Sequence, residues 1–269
     1  LIPKAMKIIS ANVNGIRAAA KKGFFDWMQK ESPDVVCLQE TKSQVDQLDD
    51  PVFSPLGYYR YFFDAQKKGY SGTAIYSKKQ PDQVSTGLGW KVADSEGRYI
   101  QADFGDLSVA SLYLPSGSSK DHRQELKMQF LDLITPMLKD IAAPSSNRAF
   151  IICGDWNIVH KKIDIKNFNG NKKRSGCLPE ERAWMDKLFG VADEDNIGLV
   201  DAFRVLNQEA DQYTWWSNRG QAWANNTGWR IDYQVISPSL ASSLQSTSIY
   251  KEQRFSDHAP LIMTYDRSL

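Results

Sequence analysis

The chain has 269 residues, with 33 lysines and arginines against 32 aspartates and glutamates, so its formal charge at neutral pH is +1. That balance excludes a uniformly basic polyanion binder. With 42% hydrophobic residues, 12% aromatics and eight tryptophans, the composition also excludes a chain too polar to pack. Three cysteines, an odd number in so long a chain, argue against a disulfide framework and for a reducing compartment.

In chain order, residues 1–5 precede Met6 and are expected to be an added leader. Lys4 and Lys7 are followed by only Ile8 and Ile9 before polar residues resume, unlike a signal peptide. Apolar runs bounded by Gly, Pro, Asn and Ser predict strands at 7–13 and 34–38, with a helix over Phe24, Phe25 and Met28 between them. Further strands are predicted at 59–63, 73–76, 99–104 and 107–113. Phe130, Leu133, Ile134, Met137, Leu138 and Ile141 follow a 3.6-residue spacing, with Pro136 predicting a kink or a helix boundary. A strand at 149–153 precedes a charged, Asn- and Gly-rich loop over 164–177. Pro179 opens and Gly190 closes the helical segment PEERAWMDKLF. Strands at 231–236 and 259–264 complete the pattern, and Cys37 and Cys153, in apolar runs, read as small buried thiols.

Strands outnumber helices and come both as hairpin neighbours and as strand–helix–strand units, which favours a mixed α/β arrangement over a purely parallel sheet. No Pro- or Gly/Ser-rich linker divides the chain, so a single domain over residues 6–267, with two packed sheets, is expected. No stretch approaches the ~20 apolar residues that span a bilayer. The expectation is a soluble, cytoplasmic protein without a membrane partner, nucleoid-associated if the source is bacterial.

Polar residues recur where these runs end. Asn12 and Asn14, Glu40, Tyr113, and Asp155 with Asn157 follow strands, while Asp232, Asp257 and His258 sit near strand starts. One rim of strand ends is where α/β loops converge on ligands, and strands of alternating direction bring starts and ends to the same rim. Oxygen donors with few imidazoles and no thiolate cluster suit Mg²⁺ or Mn²⁺ better than Zn²⁺. His122, His160 and His258 each stand alone, without the paired spacing of a zinc hydrolase. A single Asp or Asn after a strand is ordinarily a turn former or cap; five such sites in one chain weaken that reading without identifying the reaction. GYSG at 69–72 lacks the spacing of a serine-hydrolase nucleophile elbow.

The blocks NVNGIRA, CLQETK, SLYLPSG, GDWNIVHKKID, GWRIDY and SDHAPL, in this order, resemble the exonuclease III-like family of apurinic/apyrimidinic (AP) endonucleases. The likeness runs from Met6 to about Tyr265. It implies a four-layer α/β sandwich, with two mixed sheets packed face to face and helices outside. It also implies Mg²⁺-dependent cleavage of DNA 5′ to an abasic site, with Mn²⁺ as a substitute. By resemblance Glu40 is the principal metal ligand, with Asn12, Asn14 and Asp257 at or near the metal. Asp155 positions or deprotonates the attacking water, Asn157 orients water or phosphate, and Tyr113 contacts the scissile phosphate. His258 pairs with Asp232. Protonated, it would neutralise phosphate charge; neutral, it would serve as a general base, and the sequence leaves both roles open. Some members carry Asp where this chain has Asn14, so the site holds one fewer charge, and the number of ions stays open.

Six basic residues, Lys161, Lys162, Lys166, Lys172, Lys173 and Arg174, face one acid, Asp164, in a loop suited to gripping backbone phosphates. Asn171 and Gly176 lie in the matching NKK-x-x-G run. By resemblance Trp215, Trp229 and Ile231 wall an apolar pocket for the flipped abasic sugar, Trp216 is core, and Arg219 occupies the place of a duplex-wedging residue. The expected partner is double-stranded DNA with abasic sites or damaged 3′ ends, bound by a monomer. The competing readings are a 3′→5′ exonuclease or 3′-phosphatase with weak abasic activity, a phosphatase of lipids or small esters, and a non-catalytic DNA-binding module. The basic loop and tryptophan cluster disfavour the phosphatase, and the complete set of acidic residues and His258 disfavours the silent module.

Overall fold

The computed structural model describes residues 5–118 and 121–269, Asp121 by its backbone alone; residues 1–4 of the expected leader lie outside the described residues. In chain order the strands are β1 (Met6–Asn12), β2 (Val35–Gln39), β3 (Tyr59–Phe63), β4 (Thr73–Ser77), β5 (Gln83–Thr86), β6 (Tyr99–Phe104) and β7 (Leu107–Tyr113). They continue as β8 (Ala149–Asp155), β9 (Val200–Asp201), β10 (Trp215–Trp216), β11 (Gly228–Trp229), β12 (Asp232–Ile236), β13 (Leu244–Ile249) and β14 (Leu261–Tyr265). The helices are α1 (Ile16–Lys21), α2 (Phe24–Glu31), α3 (Lys91–Asp94), α4 (Asp121–Ala142), α5 (Phe168–Asn171), α6 (Pro179–Phe189) and α7 (Ala202–Leu206).

One six-stranded sheet runs β13-β14-β1-β2-β4-β3, the other β5-β6-β7-β8-β12-β9, and β10 with β11 forms a separate ribbon. Each large sheet has one parallel pair at its centre, β1–β2 and β7–β8; the other pairs are antiparallel. A parallel pair needs a crossover, which α1 and α2 supply for the first and α4 for the second.

Because successive strand side chains point to opposite faces, and both faces of each sheet are covered, the central strands read as continuous apolar runs. Ile8, Val35 and Cys37 face inward against Val109, Ile151 and Cys153 of the other sheet. Their neighbours Ile9, Val36 and Leu38 face outward onto Ile16, Phe24 and Met28 of α1 and α2. On the second sheet Ala110, Ile152 and Val235 pack outward against Phe130 and Leu131 of α4 and Met185 and Leu188 of α6. The result is helices, sheet, sheet, helices, in four layers, as the resemblance implies.

The predicted helix at 130–141 is part of the longer α4, and Pro136 sets no boundary in it. Pro136 and Asp132, whose carbonyl would have bonded to it, are both exposed, so the helix continues where the lost bond faces outward. Leu133, counted in the apolar stripe, is exposed as well. Two strands differ usefully from expectation: β8 extends to Asp155, and β12 begins at Asp232. Cys37, Cys153 and Cys177 are free and buried. Among the described residues no helix is long and apolar enough to cross a membrane.

Candidate active site

Strand register builds one rim. Asn12 and Gln39 end the parallel strands β1 and β2 as register partners, which puts Glu40 just past the sheet edge. On the second sheet Tyr113 is opposite Asp155 at the ends of β7 and β8, and Asp155 is opposite Asp232 at the start of antiparallel β12. Three residues leave these strands with left-handed backbones, Asn14 (φ 43°), Glu40 (φ 53°) and Asn157 (φ 52°). Asn tolerates this region, whereas Glu rarely enters it. At Glu40 the bend is held by its carbonyl, which accepts the Gly15 N–H at 2.8 Å, and by the flanking bonds of Gln39 and Thr41 carbonyls to Val13 and Ile16.

Asn12, buried, joins the two sheets. Its carboxamide nitrogen donates to Glu40 Oε1 (3.0 Å) and to Asp155 Oδ2 (2.9 Å), while its oxygen accepts the Asn14 N–H (2.9 Å). A backbone N–H can only donate, so the amide orientation follows: Asn12 turns its NH₂, and not an oxygen, toward the carboxylates. In this arrangement it orients the Glu40 and Asp155 carboxylates. Asn14 donates to Asp257 Oδ1 (3.2 Å) and accepts from Lys42 Nζ (2.6 Å), which also lies 3.4 Å from Glu40 Oε2. Trp215 Nε1 holds the other Asp257 oxygen at 3.1 Å.

His258 Nδ1 lies 2.8 Å from Asp232 Oδ2, and its Nε2 lies 3.7 Å from Asp155 Oδ2. Burial favours the neutral ring, but the charges of Asp232 and Asp155 outweigh it and raise the His258 pKa to about 10. Burial, then the nearby Asp232 charge, raises the Asp155 carboxyl well above its ordinary range. The Tyr113 phenol is raised by burial and by the Glu40 and Asp155 carboxylates. Arg98 lies against the Tyr113 ring, 4.8 Å from its centroid, and donates to the Tyr113 carbonyl at 3.0 Å. Asn157 donates its N–H to Asp155 Oδ1 (2.9 Å) and its side-chain nitrogen to the Leu114 carbonyl (2.6 Å).

Ligand atoms of Glu40, Asp155 and His258 lie within 4.8 Å of one another. Around them the acids Glu40, Asp155, Asp232 and Asp257 outnumber the cations Lys42 and His258, and Asp232 Oδ1 is buried without a hydrogen-bond partner. An undercompensated cluster of hard oxygens fits a hard divalent cation.

The cluster floors a cleft of about 1030 Å³. Trp215, Trp229 and Ile231 form part of its wall, with Arg219 and Arg174 at the margin. The two indoles meet edge to face at 5.7 Å, and Trp216 is buried. Asn171, Lys172 and Lys173 do not reach the cleft; Lys172 and Lys173 are exposed beside it on the α5 segment, and Asn171 bonds to the Asn167 carbonyl (2.6 Å). The loop's acid, Asp164, is buried against Arg230 and Arg204 (2.8 and 2.7 Å) and so does not neutralise the exposed lysines.

Sequence reasoning missed several contributors. Lys42, the last residue of CLQETK, bonds to Asn14 and lies beside Glu40, a role that a lone lysine after an acid does not signal. Thr214 Oγ accepts the Ile231 and Asp232 amides, both at 3.1 Å, and so fixes the start of β12. Ser256 Oγ ties the Asp257–His258 turn to the Asn12 carbonyl (2.6 Å).

The sequence profile of the Endonuclease/Exonuclease/phosphatase family matches residues 9–258. The chain is 37% identical to an exodeoxyribonuclease of Bacillus subtilis over 95% of its own length and 98% of the relative's. It is 36% identical to the DNA repair nuclease APEX1 of Danio rerio, over 96% and 81% of the two chains. The structure of an AP endonuclease from Archaeoglobus fulgidus superposes with a TM-score of 0.85 at 28% identity, covering 97% of this chain and all of that one. With the profile spanning nearly the whole fold and both halves of the acidic rim, the chain belongs to the Endonuclease/Exonuclease/phosphatase family.

Proposed function

We propose that this chain is a DNA repair nuclease that hydrolyses the phosphodiester 5′ to an abasic site and processes 3′ ends at the same centre. It acts as a monomer on double-stranded DNA, in the cytoplasm. The observation that carries the reading is the shared cleft: the Glu40–Asp155–His258 cluster and the Trp215–Trp229–Ile231 wall open onto one space. A cavity walled by indoles admits a sugar without its base and excludes an intact nucleotide, and an unpaired site is the least costly to extrude.

Glu40 is the main residue to hold Mg²⁺, or Mn²⁺ in its place, with Asp257 and Asn14 beside it. Such an ion, when bound, supplies charge neutralisation on the phosphate and the leaving 3′-oxygen. Asp155 is the acceptor for the attacking water's proton. Both its oxygens are steered by N–H donors, Asn157 on one and Asn12 on the other, which fixes the carboxylate plane. The Asn157 side-chain nitrogen is committed to Leu114, which leaves its oxygen to orient that water. His258, its Nδ1 directed at Asp232, turns Nε2 toward Asp155 and the cleft. A raised pKa keeps it cationic, suiting it to neutralise phosphate charge rather than to act as a base. Tyr113, beside Asp155, donates to the scissile phosphate.

The test is a duplex bearing one abasic analogue against an intact duplex with a recessed 3′ end, each with Mg²⁺ and with EDTA. Metal-dependent nicking at the analogue is expected. End trimming without nicking would favour the second reading, a predominantly 3′→5′ exonuclease, which the name of the Bacillus subtilis relative supports. Binding without cleavage in Mg²⁺ or Mn²⁺ would defeat both.

A further inference from the structure

Beneath the cleft lies a charged pair that takes no part in the chemistry above. Lys127 of α4 and Glu181 in the first turn of α6 are both fully buried, with Lys127 Nζ 2.5 Å from Glu181 Oε2. The ammonium pairs with the Glu181 carboxylate and also donates hydrogen bonds to two further segments. Besides Glu181, Nζ donates to the Asn157 carbonyl at 2.8 Å and the Ser116 carbonyl at 3.3 Å. The other Glu181 oxygen accepts the Gly176 N–H (2.7 Å) and the Leu178 N–H (3.1 Å). Three loops that line the cleft, those of Ser116, Asn157 and Gly176, therefore hang from one buried pair.

Local packing makes the loop positions exacting. Gly117 (φ +77°) lies on the Lys127 stem, so a Cβ there would sit 3.1 Å from Lys127 Cδ. Gly176 (φ +91°) is pressed between the Trp229 ring and the Asn157 carbonyl, 3.0 and 3.1 Å from where a Cβ would be. The width of the indole-walled space thus depends on where the Gly176 amide is held. Burying two charges costs desolvation that their attraction often fails to recover, so such a pair is a poor source of stability, and its effect lies in fixing geometry.

We propose that Lys127 and Glu181 are positioning residues that set the spacing between Asn157 and the Gly176–Trp229 wall, and thereby the selectivity for an abasic sugar over an ordinary 3′ end. This rests on the nuclease reading above. The 3′-end reaction uses Glu40, Asp155 and His258, of which only Asp155 is linked to the pair, through the Asn157 amide, whereas the abasic pocket needs the Gly176–Trp229 wall as well.

Lys127→Met is compared with Lys127→Arg, which keeps a cation and its donors. In Lys127→Met, folded by circular dichroism, amide-exchange protection over residues 174–178 is expected to fall. The kcat/KM for abasic nicking should drop ~10–100-fold, chiefly through KM, while 3′-end hydrolysis, linked to the pair only through Asn157, should fall by a several-fold smaller factor. Lys127→Arg should restore both. Should Lys127→Met fail to fold, Glu181→Gln, which keeps an acceptor for the two amides, replaces it in the same measurements. Unchanged protection, or equal losses on the two substrates, would overturn the proposal. A wild-type protein that nicks no abasic duplex would instead defeat the abasic reading, with amide exchange still deciding the role of the pair.

Discussion

Asp155 owes its orientation to two donors, the Asn12 side chain on β1 and the Asn157 amide just past β8, and that is why its neighbours matter as much as its own charge. Replacement by Asn removes the proton acceptor while keeping the shape. Single-turnover nicking by Asp155→Asn is expected to slow ~10²–10⁴-fold; near-normal turnover with Mg²⁺ bound would sink the assignment. Trp229→Ala opens the wall beside Gly176 without touching the acidic cluster. It should impair abasic nicking well beyond its effect on affinity for an undamaged duplex, measured by competition binding, and equal losses would contradict the pocket. Residue identity alone foreshadowed the acids and His258, because carboxylates after apolar runs are conspicuous. It did not show that Asn12 presents its NH₂, since an amide's direction depends on a backbone N–H two residues away. Lys127 did leave a trace: it falls three and four residues before Phe130 and Leu131, a charge on an otherwise apolar helical stripe.

Among the elements, central strands were legible because both their faces are buried. β5 and β13 were not, because they are outermost strands and carry QVST and LQSTSI, half-exposed and almost without apolar residues. The two-residue strands β9, β10 and β11 were too short to form a run. The ribbon of β10 and β11 is nevertheless well anchored. Arg230, between the wall residues Trp229 and Ile231, is buried and joined to Asp164 and Asp201 at 2.8 and 2.6 Å. Burial alone would raise the Asp164 carboxyl, but Arg230, Arg204 and the Lys161 N–H bring it down from 3.8 to about 2. A lowered folded-state pKa adds stability that is complete above the unfolded value and disappears as pH falls through the folded one. About 2 kcal/mol should therefore vanish between roughly pH 4 and pH 2. Thermal midpoints across that range should decline, and Asp164→Asn should start lower and decline less; parallel curves would refute the linkage.

At the scale of the molecule, near-zero net charge conceals segregation. The loop over 161–174 exposes Lys172 and Lys173 while its one acid, Asp164, is turned inward, and the acids of the rim are gathered under the cleft. Bulk electrostatics should then contribute modestly, through a few phosphates. Lys172→Ala and Lys173→Ala should each weaken binding to any duplex alike and reduce the slope of log K against log salt by about 1. Unchanged slopes would remove this loop from the DNA contact. The four-layer arrangement itself was reachable from the resemblance, but the cross-sheet link was not, because Asn12 and Asp155 lie 143 residues apart. A consequence concerns synthesis. β1 pairs with β14, and Ser256 reaches Asn12 across 244 positions, so the centre joins an early strand to one of the latest. A growing chain has made Glu40 and Asp155 long before His258 emerges. Until then the acidic rim lacks His258 and β1 lacks its β14 neighbour. A chain that ends before Ser256 is therefore expected to leave abasic DNA intact in Mg²⁺, and nicking by such a truncated variant would show that the late strand is dispensable.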